Sequence, residues 1–442
     1  MIKGIRGMRD ILPPEAERWQ QMEAIARQVF ELYGYREVRL PLLERTELFA
    51  RSIGEETDIV AKEMYTFDDR HGESLTLRPE ATASVLRAVL EHGLEKGAGV
   101  KKYYTLGPMF RYERPQKGRY RQFYQINCEA LGVDAPELDA EVILLLLDLL
   151  GRLQLGEMRL LVNSLGCRQC QASFKAALQD FLHGKEGLCP DCRRRRETNP
   201  LRVFDCKSPH CQAMLQEAPV LQDHLDPECA AHFARVLELL AGFGVAYEVR
   251  PRLMRGLDYY TRTAFEVVAA GLGAQDAVAG GGRYNGLSQE LGGPELPAIG
   301  FAIGQDRLLE VLPQDLGQDK DSKIFLAALG NSARERAFAL LRELRGRGLA
   351  GEMDFEGRSL KAQMSLAERL GADFVIIIGE REIEKGQAVV RKMADIVIEK
   401  GEEKIFIEVK TGPMVKGEQR WVSFEQLVDY LKELIKPKEE PR

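Results

Sequence analysis

The sequence predicts an α+β protein in two parts. Over residues 1–320 a mixed, largely antiparallel sheet carries helices on its faces. From residue 323 to residue 442 a smaller α/β domain follows. A helical, cysteine-rich insertion, about residues 167–235, interrupts the first part. Three observations predict this. Short β-like stretches before residue 301 alternate with loops and helices without regular βαβ order. The polar stretch Leu312–Lys323, LPQDLGQDKDSK, reads as a linker, and after it strand and helix patterns alternate. Seven of the eight cysteines fall between Cys167 and Cys229.

Each element has a local reason. Residues 15–33 place Trp19, Met22, Ile25, Ala26, Val29 and Phe30 at helical spacing, and Gly34 suits a left-handed end cap. Val38, Leu40 and Leu42 alternate as in a strand, but Pro41 allows only an edge or a kink there. Strands are expected at 64–67, 75–77, 103–109, 121–125, 159–162, 246–249, 263–268, 276–279 and 298–301, and helices at 80–92 and 137–155. Gly280-Gly281-Gly282 is expected to form a tight turn. Beyond the linker, KIFLAAL, LAGEMDF, FVIIIG and residues 387–392 read as strands, with helices at 333–346 and 359–370 between them, the pattern of a largely parallel sheet. The end, SFEQLVDYLKELI, is an amphipathic helix.

Composition bounds the function. Of 442 residues, 45% are hydrophobic and 29% charged, enough apolar side chain for large cores. The net charge is −6, so any contact with nucleic acid must come from local basic patches. The first twenty residues lack the apolar core of a secretory signal, and the apolar run at Val142–Leu150 is too short to cross a bilayer. The expected location is the cytoplasm, with no membrane partner. Clustered cysteines in that compartment suggest a metal before a disulfide.

Four segments carry chemistry. Phe110-Arg111-Tyr112-Glu113-Arg114-Pro115 followed by QKGRYRQFYQINCE reads as a strand, a basic loop and a returning strand. The loop with Lys117, Gly118, Arg119 and Arg121 can bind phosphates, since arginine grips phosphate oxygens, and Phe123 offers a stacking face; a solvated basic hairpin fits the composition equally well. Gly300–Leu308 is a glycine-bounded strand running into a helix with Arg307 in its first turn. In Thr76-Leu77-Arg78-Pro79-Glu80-Ala81-Thr82, Glu80 and Thr82 could hold an ammonium group, although glutamate after proline is also simply a good helix start. The fourth segment is Arg255-Gly256-Leu257-Asp258-Tyr259-Tyr260-Thr261-Arg262-Thr263-Ala264-Phe265-Glu266.

The order of the first two segments resembles motifs 2 and 3 of class II aminoacyl-tRNA synthetases, and the strand around Pro41 resembles motif 1, the dimer element of that class. The fourth segment resembles the signature of histidyl-tRNA synthetases. GGGRYNGL at 280–287 and MRDILP near the start are similar to further family strings. The resemblance extends to about Arg391. It implies a class II catalytic domain, an anticodon-binding domain from residue 323, and a histidine–tRNA ligase reaction: histidine is activated by ATP to the adenylate and passed to tRNA(His). Homodimerisation follows from motif 1 alone.

The resemblance also implies roles. Arg111 and Arg255 are the catalytic pair, on either side of the α-phosphate. Arg111, Glu113, Arg119, Phe123 and Arg307 bind ATP, with Glu113 reading the adenine amino group and Phe123 stacking on the ring; Mg²⁺ bridges the phosphates. Glu80, Ala81, Thr82, Gln125, Glu129, Tyr259 and Tyr260 hold L-histidine. Among them Glu80, Thr82 and Gln125 receive the α-ammonium, while Glu129 and Tyr260 take the two imidazole nitrogens. Gln116 faces the tRNA acceptor end. The alternative reading is a non-catalytic paralogue serving as regulatory subunit of a histidine-biosynthetic phosphoribosyltransferase. Such paralogues usually lack the intact Arg255–Tyr260 signature and the anticodon domain.

Two segments stand apart. Cys167, Cys170, Cys189 and Cys192 form a C-x2-C…C-x2-C array with 18 residues between the pairs, the spacing of a structural zinc site; free, buried thiols are the competing reading. Segment 393–417 departs from the family pattern. Its alternation around Gly401 reads as a charged hairpin. Asp395 with Glu408-Val409-Lys410 resembles a nuclease metal constellation, but the chain has no room for the rest of such a core.

Overall fold

The computed structural model describes residues 2–54, 57, 59–115, 118–206, 208–254, 257–272, 276–314, 316, 323–393 and 418–435. The chain divides into two compact units, Met1–Gly317 and Gln318–Arg442.

The first unit is built on an eight-stranded sheet in the order Arg36–Glu37, Lys101–Phe110, Gln122–Leu131, Ala298–Gly304, Ala277–Arg283, Thr261–Ala269, Met158–Ser164, Tyr247–Val249. The six inner strands pair antiparallel, and only the two edge pairings are parallel. The helix Pro136–Arg152 covers one face. Leu145, Leu146, Leu149 and Leu150 on it are buried in the main core with Met22, Val29 and Phe30 of the helix Glu15–Leu32 and Val236 and Leu240 of the helix Pro227–Gly242. Each such side chain stabilises the fold by about 1.5–3 kcal/mol. Arg283, wholly buried, ties the sheet to this layer through Asp139 at 2.6 Å and Asp134 at 3.2 Å.

Two expectations change here. Gly280-Gly281-Gly282 is not a turn but the middle of the strand Ala277–Arg283, paired on both sides. The reason is close approach: a Cβ on Gly281 would stand 2.1 Å from the Gly300 carbonyl oxygen of the neighbouring strand. The run around Val38 splits at Pro41. Arg36–Glu37 joins the large sheet, Leu43–Arg45 joins a separate three-stranded sheet, and Thr46–Ile53 is a helix.

The second unit has a five-stranded sheet, Gly351–Met353, Ile324–Ala328, Phe374–Ile378, Gln387–Lys392, Gln419–Ser423, with helices Asn331–Gly346, Leu360–Arg369 and Leu427–Ile435. The first three strands run parallel as expected, while the last two pair antiparallel. Only residues 379–386 separate Phe374–Ile378 from Gln387–Lys392, too few for a parallel crossover. Residues 394–417, with Asp395, Glu408 and Lys410, lie outside the described residues.

Candidate active site

Strand alternation builds the site. Side chains on a strand point to opposite faces in turn, so Phe123, Gln125, Asn127 and Glu129 of Gln122–Leu131 all face one cavity of about 520 Å³. Small residues on the adjoining strands, Gly300, Ala302 and Gly304, leave it room. Such a volume suits a small-molecule ligand.

One end of the cavity is positive. Arg111, Arg119 and Arg307 line it. The Arg111 Nε donates to the Pro79 carbonyl at 2.9 Å, and its guanidinium carbon stands 5.2 Å from the Phe123 ring centre. Arg119 pairs with Glu113 at 3.0 Å, and Arg307 donates to the Ala277 carbonyl at 3.0 Å. Burial, and then the neighbouring Arg119 charge, lower the pKa of Arg307.

The other end is acidic and buried. Glu129 is wholly buried; Thr82 Oγ1 donates to its Oε1 at 2.7 Å, and the Tyr284 hydroxyl donates to its Oε2. Burial pushes Glu129 up to about 8, with the Glu80 charge adding to the rise and the two hydroxyls opposing it. Glu80 is raised too, mainly by burial, although its carboxylate accepts from the backbone N–H groups of Thr82 at 2.6 Å and Ala83 at 2.8 Å. Tyr259 and Tyr260 close this end, their ring centres 4.7 Å apart. Gln125 Oε1 and Asn127 Oδ1 are buried without a hydrogen-bond partner among the described residues, as acceptors awaiting a donor would be.

The structure thus brings together Glu80, Thr82, Arg111, Glu113, Arg119, Phe123, Gln125, Glu129, Tyr259, Tyr260 and Arg307, all expected from the sequence. Ala81, buried, sits between Glu80 and Thr82 at the helix start. Arg255 and Gln116 lie outside the described residues. Asn127 and Tyr284 were not singled out. Strand alternation between Gln125 and Glu129 was the available signal for Asn127, and Tyr284 lies inside the GGGRYNGL string. Glu266 also faces the cavity.

The single four-cysteine array does not form. Cys167 and Cys170 gather with Asp226 and Cys229, whereas Cys189 and Cys192 gather with Cys206 and Cys211. Spacing alone paired the two C-x2-C units with each other, but the chain between them folds into the long helix Arg168–His183, and residues far downstream return to each pair.

The family model for histidyl-tRNA synthetase matches residues 7–308. The chain belongs to the histidyl-tRNA synthetase family. The anticodon-binding-domain model matches residues 323–434 of this synthetase-family chain. A histidine–tRNA ligase of Desulfatibacillum aliphaticivorans is 54% identical over 398 residues, 89% of this chain and 94% of that protein. One from Geobacter metallireducens is 51% identical over 395 residues, 89% of this chain and 95% of its own length. Among solved structures, apo histidyl-tRNA synthetase of S. aureus superposes with a TM-score of 0.78 at 34% identity, covering 98% of this chain and 100% of that one. The family's class II fold, a mixed sheet with helices followed by an anticodon-binding domain, is the fold seen here. Among the described residues no helix is long and apolar enough to cross a membrane.

Proposed function

We propose that this chain is a histidine–tRNA ligase, which activates L-histidine with ATP and transfers it to the 3′ end of tRNA(His). The observation that carries the reading is the bipolar cavity: three arginines at one end, and at the other a buried Glu129 held by Thr82 and Tyr284. A triphosphate fits the first end and an imidazole with its amino group fits the second.

In the first step the histidine carboxylate oxygen bonds to the α-phosphorus and the bond to pyrophosphate breaks. In the second, a ribose hydroxyl of the tRNA attacks the activated carbonyl and AMP leaves. Neither step asks for a covalent protein intermediate; positioning and fixed charge carry the rate. Arg111, fixed by the Pro79 carbonyl, holds the α-phosphate and the carboxylate, and by the family resemblance Arg255 would supply a second positive charge to the α-phosphate. Arg119 and Arg307 hold the outer phosphates, Glu113 takes the adenine amino group, and Phe123 the ring. That assignment requires Glu113 and Arg119 to part from each other, and Arg111 to leave the Phe123 face. The Glu266 carboxylate, which lines the cavity, would hold a Mg²⁺ ion bound with ATP, and the ion would neutralise phosphate charge. Gln125 Oε1 and Glu80, with Ala81 and Thr82 at the helix start, receive the α-ammonium. Glu129 and Tyr260 take the imidazole nitrogens beside Tyr259. Ligands lacking those nitrogens would forgo the hydrogen bonds to Glu129 and Tyr260 in a buried site, a discrimination of roughly 10⁴-fold without editing.

The second unit would read the anticodon, and Gln116 would meet the acceptor end. We also propose a homodimer through the Pro41 region, where Leu42 is 43% and Leu43 39% exposed, and a cytoplasmic location beside its tRNA. A structural Zn²⁺ in the insertion would add rigidity and no chemistry.

The test is amino-acid-dependent exchange of pyrophosphate into ATP with all twenty amino acids. Exchange with histidine alone, reduced about 10³-fold in Arg111→Ala, is the expected result. No exchange with any amino acid by folded protein would overturn the ligase reading in favour of the regulatory paralogue.

A further inference from the structure

The insertion's cysteines form two separate cages rather than one. Cys189, Cys192, Cys206 and Cys211 bring four sulfurs within 4.8 Å of one another. Cys167, Cys170 and Cys229 do the same with a carboxylate oxygen of Asp226. A tetrahedral zinc site with Zn–S bonds near 2.3 Å places its sulfurs about 3.8 Å apart. Here Cys189 and Cys206 sulfurs stand 3.7 Å apart, and those of Cys167 and Cys170 3.6 Å. A disulfide would need about 2.05 Å, and all eight cysteines are free.

The surroundings suit thiolates. In the first cage the N–H of Cys189 points at Cys211 Sγ (3.3 Å), that of Cys192 at Cys189 Sγ (3.4 Å) and that of Ser208 at Cys206 Sγ (3.4 Å). In the second, the Asp226 N–H points at Cys170 Sγ at 3.2 Å. The two oxygens of Asp226 divide their work. Oδ1 accepts from the Cys229 N–H at 2.7 Å and so orients the carboxylate. Oδ2 is turned to Cys167 and Cys170, at 3.1 and 3.2 Å, where a shared cation would sit. Outer hydrogen bonds of this kind fix ligands in structural metal sites.

The insertion also needs such staples. Residues 167–226 bury a small core around Phe174, Leu178, Leu182 and Leu188, and that core includes Cys192, Cys206 and Cys211 themselves. Cores of this size supply only a few kcal/mol. We propose that the insertion binds two zinc ions, one held by Cys189, Cys192, Cys206 and Cys211 and the other by Cys167, Cys170, Asp226 and Cys229. Both sites are closed by four protein ligands, so both are structural. Thiolate sets select zinc, copper(I) or iron, and the hard carboxylate in the second set favours the divalent ion.

The cages brace the histidine end of the cavity. Between Cys192 and Cys206, Asn199 donates to Asp258 at 3.1 Å and Arg202 pairs with it at 2.6 Å. Next to Cys170, Gln171 donates to the Tyr260 carbonyl at 3.0 Å. Asp258 and Tyr260 belong to the signature segment, so the insertion grips one wall of the site from behind. The cage at Asp226 ties its entrance to its exit.

The test is elemental analysis of the untagged full-length protein, purified without chelators. Two zinc ions per chain are expected, one in Cys211→Ser and one in Cys229→Ser. Fewer than two in the unsubstituted protein, or iron in place of zinc, overturns the proposal; so does a serine variant that keeps both ions. In case the serine variants fold poorly, Asp226→Asn retains an acceptor for the Cys229 N–H. That variant is expected to speed the release of one zinc ion to a chromogenic chelator and leave the other rate unchanged. Release altered at both ions, or at neither, would count against two independent sites.

Discussion

Glu129 sits on a central strand of an eight-stranded sheet, walled by the main core, with two hydroxyls fixed on it by neighbouring elements. Among its described residues the cysteine-rich insertion has no sheet and one small apolar cluster, and two of its helices, Arg168–His183 and Pro190–Thr198, begin directly after a cysteine. In the first region the backbone holds the polar group and packing does the rest. In the second, the side chains themselves must hold the backbone. Rigidity from strand pairing cannot be removed without unfolding the sheet, whereas rigidity from metal ligation can be removed by a chelator.

The largest effect should come from adding one methyl group to the sheet. In Gly300→Ala the new Cβ would lie 1.9 Å from Glu129 Oε2 and 2.3 Å from the Cys128 carbonyl oxygen, and the latter cannot move. Histidine-dependent exchange should fall by about 10²-fold or more, and stability by about 1–3 kcal/mol. Gly156→Ala, with nothing within 4 Å of the added atom, should melt like the unsubstituted protein. Equal melting of the two variants would mean that the sheet yields at Gly300 and is not rigid there.

An intermediate effect should come from Glu129→Gln. The carboxyl rises from about 4.3 in an unfolded chain to about 8 in the fold. The folded empty protein therefore keeps a proton that the unfolded chain gives up. This group favours folding most below about pH 4.3, and that contribution is lost as pH climbs to about 8. Near pH 7 an imidazole N–H docking on the carboxylate should expel the proton. Calorimetry in buffers of different ionisation enthalpy should show close to one proton released per histidine bound, and none in the variant. Unchanged proton release in the variant would place the titrating group elsewhere. The variant's kcat/KM for histidine should drop roughly 10–100-fold, the scale of a hydrogen bond to a charged group.

The smallest effect should come from Arg202→Ala, which removes the ion pair to Asp258 and leaves the Asn199 hydrogen bond. A partly exposed ion pair of this kind is worth about 1 kcal/mol, so KM for histidine should rise about two- to fivefold with kcat nearly unchanged. The same rise after slow zinc removal by chelator, with no further change in the variant, would show that the cages act on the site through this contact. A loss of kcat as large as that in Gly300→Ala would erase the distinction between the two regions.

Much of the cavity was legible because its residues sit in contiguous strings whose alternation or helix-start position fixes their direction. Phe123, Gln125 and Glu129 share a strand face; Glu80 and Thr82 share a helix start. Tyr284 was not legible, because its partner Glu129 lies two strands away and only the sheet order brings them together. The glycine triplet was misread for the opposite reason. Three glycines spell a turn locally, and only the adjacent strand at Gly300 shows that they serve close approach. The cysteines failed in the same way. A C-x2-C pair announces half of a cage, but the other half is set by where the chain returns, and Asp226 carries no spacing signature at all. In the second domain, the antiparallel pairing of Gln387–Lys392 was readable from the short connection before it.

The junction at Cys170 and Asp226 has one more consequence. Entry and exit of the insertion meet where the Asp226 N–H touches the Cys170 sulfur, so about sixty residues are closed into a loop at that point. Asn199 and Arg202, inside that loop, hold Asp258, so the clasp at its neck governs how firmly one wall of the cavity is held.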